Sequence, residues 1–171
     1  MSRNTEFIEA YRTVRRDVER FAMFLERDRD KAADHVQSAL YGAIRTWASI
    51  ASAPALKAYC ISAILRAHRN SSRQEERLVR DSLDELVVLG HLSPEDATDV
   101  ELVRDAIARL PDAERIPLIL AELEGWPLAD IAAELELGLS AVKMRVKRGR
   151  DHLKVLLQER LEYEEKDRHA R

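Results

Sequence analysis

The stretch Leu128-Ala-Asp-Ile-Ala-Ala-Glu-Leu-Glu-Leu-Gly-Leu-Ser-Ala-Val-Lys-Met-Arg-Val-Lys-Arg-Gly-Arg-Asp-His-Leu153 decides the fold of the C-terminal half. Ile131, Ala132 and Leu135 give a short helix one inward stripe. Small Ala132 lets two helices cross closely, Leu137 plugs a tight turn, and Val142 anchors a second helix. On that second helix Val142, Val146, Gly149 and Leu153 share one face at helical spacing. The opposite face carries Ser140, Lys143, Met144, Lys147 and Arg148, with Arg145 and Arg150 on its flanks. This is a helix-turn-helix pattern, in which the second helix enters the DNA major groove. Ser140 to Lys143, with Met144, stand where base edges are reached, and the later Lys and Arg residues suit phosphates. Lys143 is therefore expected to serve discrimination between sequences, and Arg150 to hold all sequences alike.

Outward from this motif, the last 75 residues read as four helices, at about 95–109, 112–124, 128–135 and from Leu139 past Leu157 towards Tyr163. Ser93-Pro94-Glu95-Asp96 has the form of a helix start: a capping Ser, Pro at the first helical position, then acids. Pro117 should cost its helix one backbone bond or bend it, and Gly125 ends that helix. Trp126 is expected to pack between helices near the turn.

The N-terminal part reads as three helices forming a bundle. The first, 5–26, carries Phe7, Ile8, Tyr11, Val14, Val18, Phe21, Ala22 and Leu25 on one stripe. The second, 30–50, carries Ala33, Val36, Leu40, Ile44 and Trp47, and Ser49 to Pro54 is a small-residue loop. The third, 55–70, should bury Leu56, Tyr59, Cys60, Ala63, Ile64 and Ala67. The organisation is all-α: two small helical domains at 1–73 and 98–171, joined by an acidic linker at 74–97. The apolar middle of the linker, Leu83 to Leu92, is suited to docking.

Net charge alone conceals this layout. The 171 residues carry 28 Lys+Arg and 31 Asp+Glu, a formal net of −3. Residues 1–73 hold 13 basic and 8 acidic side chains, 74–101 hold 2 and 9, and 102–157 hold 9 and 9. The acid is concentrated in the middle, and a polyanion feels local charge within a screening length of about 8 Å. One Cys excludes an internal disulfide and a cysteine zinc site, and the five scattered His make no metal-binding spacing. No apolar run reaches the ~18 residues of a membrane span, and Arg and Glu interrupt the N-terminus where a leader would be apolar. No phosphate-binding Gly loop and no nucleophile-base pair appear, so the chain reads as a binding protein without cofactor or metal. Cys60, on an apolar face with no cation beside it, reads as a buried thiol.

The runs Ile107-Ala-Arg-Leu-Pro-Asp-Ala-Glu-Arg, Leu120-Ala-Glu-Leu-Glu-Gly, Leu128-Ala-Asp-Ile-Ala and Ala141-Val-Lys-Met-Arg-Val-Lys-Arg-Gly-Arg resemble region 4 of bacterial extracytoplasmic-function sigma factors. Residues 7–70 resemble region 2, with Asp28 to Trp47 following the family's core-binding helix. The resemblance implies a cytoplasmic transcription initiation factor. Its partners would be core RNA polymerase, promoter DNA and an anti-sigma factor. Asp34, Gln37 and Tyr41 would face the polymerase. The Ser49 to Pro54 loop and the third helix would hold a flipped base of the minus-ten element, with Arg66, His68, Arg69 and Arg73 as the basic contacts. The helix from Leu139 would read the minus-thirty-five element, and the linker would lie in the RNA-exit path. Departures from the family pattern are Glu136 in place of the turn Gly, Ser38 in place of an acid, and Tyr59 in place of a Trp. A non-Gly residue at a left-handed turn position is strained, so a locally different turn is expected there. Two other readings fit these departures: a helix-turn-helix regulator with a degenerate region 2, and a mimic that sequesters an anti-sigma factor.

Overall fold

The computed structural model describes residues 3–81 and 99–169, with side-chain surroundings for 3–74 and 99–163. Its described residues are helical wherever they are regular, in two compact units, Met1–Val87 and Val88–Arg171.

The first unit contains α1 (Arg3–Leu25), α2 (Arg29–Arg45), α3 (Trp47–Ile50) and α4 (Ala53–Asp81). α1 and α4 supply most of the core: Val18, Phe21, Ala22 and Leu25 meet Leu56, Cys60, Ile61, Ile64 and Leu65, all essentially without solvent contact. Asp28 caps α2, its Oδ1 accepting from the Asp30 N–H at 2.7 Å and the Lys31 N–H at 3.2 Å. α2 is rotated from its expected stripe. Ala32, Val36, Ala39 and Ala43 are buried, Ala33 is exposed and Ile44 is 41% exposed. Alanines let α2 lie close to α1 and α4, and the larger Leu40 and Ile44 fall to the edge.

The second helix does not run unbroken to Ile50. Thr46 Oγ1 donates to the Gly42 carbonyl at 3.0 Å, and Thr46 leaves helical geometry at φ −103°. Hydroxyl competition for a helix carbonyl favours such a break. The chain restarts as α3, which turns Trp47 edge-on to Phe7 with centroids 5.4 Å apart. α3 therefore takes in Ser49 and Ile50 of the expected loop and α4 takes in Ala53 and Pro54, and the bend that remains holds Ala51 at φ +49°. The Ser52 hydroxyl then accepts from the Ala55 N–H at 3.3 Å as α4 begins.

α4 is longer than the periodicity indicated. It passes through Ser71 and Ser72 to Asp81, so residues 74–81 of the expected linker are helical. Good helix formers from Arg73 to Arg80, without Gly or Pro, account for the extension. The rest of the expected linker, the docking segment Leu83 to Leu92 and the Ser93–Pro94 helix start lie outside the described residues.

The second unit contains α5 (Asp99–Ala108), α6 (Asp112–Glu122), α7 (Leu128–Glu134) and α8 (Leu139–His169). Ile107, Leu110, Leu118, Ile119, Leu120, Ile131, Val142 and Val146 form its core. Pro117 sits inside α6 without ending it. Gly125, at φ +65°, carries the turn after α6 and brings the Trp126 N–H to the Leu120 carbonyl at 2.9 Å. Trp126 itself is half-buried. Arg115 is buried at 3% exposure, its guanidinium donating to the Ala108 carbonyl at 3.2 Å and to Asp112 at 2.5 Å. It thus satisfies a free carbonyl at the end of α5.

Candidate nucleic-acid interface

The turn between α7 and α8 is built from backbone hydrogen bonds. The Leu137 N–H donates to the Ala132 carbonyl at 2.9 Å and the Glu136 N–H to the Ala133 carbonyl at 3.3 Å. That pair of bonds is a Schellman closure, and it requires a left-handed residue between them. Glu136 is that residue, at φ +54°. The turn therefore keeps the left-handed geometry despite the missing Gly, contrary to the expected local difference. Leu137 follows half-buried against the small Ala132, and the Gly138 carbonyl accepts the first bond of α8, from the Val142 N–H at 3.1 Å.

α8 presents two faces. Val142, Val146 and Gly149 are buried, and Leu153 is half-buried. An added Cβ at Gly149 would meet the Glu114 carbonyl oxygen at 3.2 Å and Leu118 Cβ at 3.4 Å, so a larger residue would push α6 and α8 apart by a few tenths of an ångström. The other face exposes Ser140, Lys143, Met144, Lys147 and Arg148, with Arg145 half-buried beside them. Lys143, Arg145, Lys147 and Arg148 make no ion pair among the described residues. Four cations within six residues, held on a rigid helix and left unneutralised, form a surface complementary to a phosphate backbone.

Arg150 differs from the other cations of α8 in having an acidic partner within the unit. Its Nε lies 2.9 Å from Glu122 Oε1 and its second guanidinium nitrogen reaches the same oxygen. It borders a groove of about 480 Å³ with Leu153, Leu157, Val103 and Leu118. The charge is paired with an acid of α6, on a side chain that stays 61% exposed. Two residues on, His152 Nδ1 lies 2.6 Å from Glu114 Oε2.

In the first unit, Asp34, Gln37 and Tyr41 are all exposed along α2, with the Arg45 guanidinium carbon 5.7 Å from the Tyr41 ring centroid. On α4, Arg66 and Arg73 are exposed and Arg69 is half-buried. His68 is a correction: it is 5% exposed and its Nδ1 lies 2.6 Å from Glu26 Oε1, so it faces the core and not a ligand. His35 Nδ1 approaches the same oxygen at 3.0 Å without hydrogen-bond geometry. This buried cluster was invisible in the sequence because its members lie just after α1, on α2 and on α4. Lys57 Nζ, 2.9 Å from Asp17 Oδ2, ties α4 to α1 and holds the Asp17 carboxyl below its ordinary range. Burial pushes the Cys60 thiol up to about 11. Among the described residues there is no cluster of His, Cys, Asp and Glu that would hold a metal, and no helix long and apolar enough to cross a membrane.

In sequence and in fold the chain is similar to known proteins. Residues 101–153 match the family model for sigma-70, region 4. The chain is 29% identical over 139 residues to the ECF RNA polymerase sigma factor EcfG of Rhodopseudomonas palustris (strain TIE-1), covering 80% of this chain and 77% of that protein. It is also similar to the sigma factor RpoE solved in complex with the anti-sigma factor NepR from Bartonella quintana. That likeness has a TM-score of 0.72 and 27% identity, and covers 89% of this chain and 96% of the other. Residues 101–153 thus carry the sigma-70 region 4 pattern, and over most of its length the chain is similar to extracytoplasmic-function sigma factors of RNA polymerase.

Proposed function

We propose that this chain acts in the cytoplasm as a sigma factor, binding core RNA polymerase and directing it to particular promoters. It works by binding and placement and has no catalytic chemistry of its own. The observation that carries the reading is the exposed, unpaired cationic face of α8 on a closed helix-turn-helix, in a chain that also keeps a region 2-like bundle. In this reading Ser140, Lys143 and Met144 meet base edges of the minus-thirty-five element, and Arg145, Lys147 and Arg148 meet phosphates. Asp34, Gln37 and Tyr41 meet the polymerase. Arg66, Arg69 and Arg73 run along one side of α4 and meet the minus-ten region, where strand opening is offset by contacts to unstacked bases. The likeness to a sigma factor solved with an anti-sigma factor supports control by such an inhibitor.

The test is transcription from a genomic library by core polymerase with and without this chain. Start sites that share an upstream element and appear only with the chain are the expected result. If core polymerase gains no start sites, the reading fails. A chain that then still binds duplex DNA would be a regulator, and one that binds only an anti-sigma factor would be a mimic.

A further inference from the structure

The side chains that flank Gly149 have a geometry that the DNA-reading face does not use. Gly149 marks the line along which α8 touches α6. Arg150 and His152 project from either side of that line, about 100° one way and 60° the other. Each ends on an acid of α6: Arg150 on Glu122 and His152 on Glu114, at 2.6 Å for the latter. The two acids are eight residues apart on α6, about 12 Å along its axis. One helix is thus held at two separated points, from both sides of its contact line. Buried Val142, Val146 and Gly149 seat α8 in the core, and the two straddling contacts add resistance to rolling in either direction.

Rolling matters because the opposite face carries Lys143 and Lys147. The rim of a helix lies about 5–6 Å from its axis, so a roll of about 20° displaces those side chains by about 2 Å. That exceeds the tolerance of a hydrogen bond to a base edge.

We propose that Glu114 and Glu122 are positioning residues of the DNA-reading helix, acting through His152 and Arg150, which serve its orientation and bind no phosphate. The proposal rests on the reading of α8 as the promoter-binding helix. It separates Arg150 from Arg148, which the sequence cannot do. It also explains why a Gly stands in a helix of otherwise strong formers, since both tethers need the close approach.

The experiment uses the full chain and a promoter fragment recovered from the transcription library, with a scrambled duplex as reference. Affinity for both is measured across salt for the wild type, Arg150→Glu, Glu122→Arg, the double swap and Arg150→Gln, with thermal midpoints as a folding check. Each single reversal is expected to lower the promoter-over-scrambled ratio by about 5-fold, within the range of one lost base contact. The double swap is expected to restore the ratio to within about 2-fold, because the pair is rebuilt with its charges exchanged. Arg150→Gln is expected to leave the salt slope unchanged. The proposal is overturned if Arg150→Gln lowers that slope by about 0.9, the value of one phosphate contact. It is equally overturned if the swap fails to rescue a folded protein. Wild-type chain without promoter preference would sink the promoter reading itself, and this proposal with it.

Discussion

His68 Nδ1 and Glu26 Oε1 meet 2.6 Å apart in the interior of the first unit, with both side chains under one-tenth exposed. Glu26 directly follows α1 and His68 lies midway along α4, so the contact pins the end of one long helix to the body of another. A carboxylate this buried is costly unless it is paired or hydrogen-bonded. Glu26→Gln keeps the shape but weakens the acceptor, and is expected to cost about 1–3 kcal/mol. Urea unfolding followed by Trp47 fluorescence, in a Trp126→Phe background, measures it. An unchanged midpoint would show that the cluster contributes nothing.

The left-handed Glu136 leads to the opposite expectation. A non-Gly residue there is strained by roughly 1 kcal/mol, and Gly gives part of that back through its larger freedom when unfolded. Glu136→Gly is expected to stabilise the second unit by about 0.5 kcal/mol, a rise of about 2–4 °C in its midpoint. Glu136→Val, β-branched at positive φ, is expected to lower the midpoint. Calorimetry on the three proteins decides the order.

Cys60 is wholly buried and its thiol is pushed up from 9.0 to about 11 by burial. The folded protein is therefore expected to resist alkylation at pH 8 and to react once unfolded, since the thiolate is the reactive form. The unfolded thiol releases its proton first as pH rises, so the unfolded state holds fewer protons between pH 9 and about 11. Stability is full below that window and falls through it, and Cys60→Ala should flatten this limb. Fast labelling of native protein would contradict the buried placement.

On α8, Lys143 and Arg148 are expected to behave differently although both are exposed cations. Lys143→Ala should reduce promoter discrimination by about 1–3 kcal/mol if it meets a base edge. Arg148→Ala should weaken promoter and scrambled duplex alike and lower the salt slope by about 0.9. Equal effects of both on the scrambled site would undo this division of the face.

Helical period and turn chemistry made the helix-turn-helix legible: Ala132, Leu137, Val142, Val146 and Gly149 all take the places their spacing indicated. The family resemblance was legible in the same residues. What failed was tertiary. α2 shows two apolar stripes, and only the close packing that alanine permits selects Ala32, Ala39 and Ala43 over Ala33 and Ile44. His68 sits among arginines in sequence, yet its partner Glu26 is 42 residues away. Arg150 looks like Lys147 until Glu122, 28 residues earlier, is seen beside it. Local pattern fixes which residues share a helix face; it does not say what that face meets.

Strand opening at a promoter tests the central claim most directly. Core polymerase, a promoter fragment from the library and this chain are mixed, and permanganate reactivity of thymines near the start site is read. The account expects reactive thymines only when the chain is present, and their loss when Lys143, Lys147 and Arg148 are all replaced by Ala. Unreactive thymines in a complex that holds polymerase, chain and DNA together would contradict it.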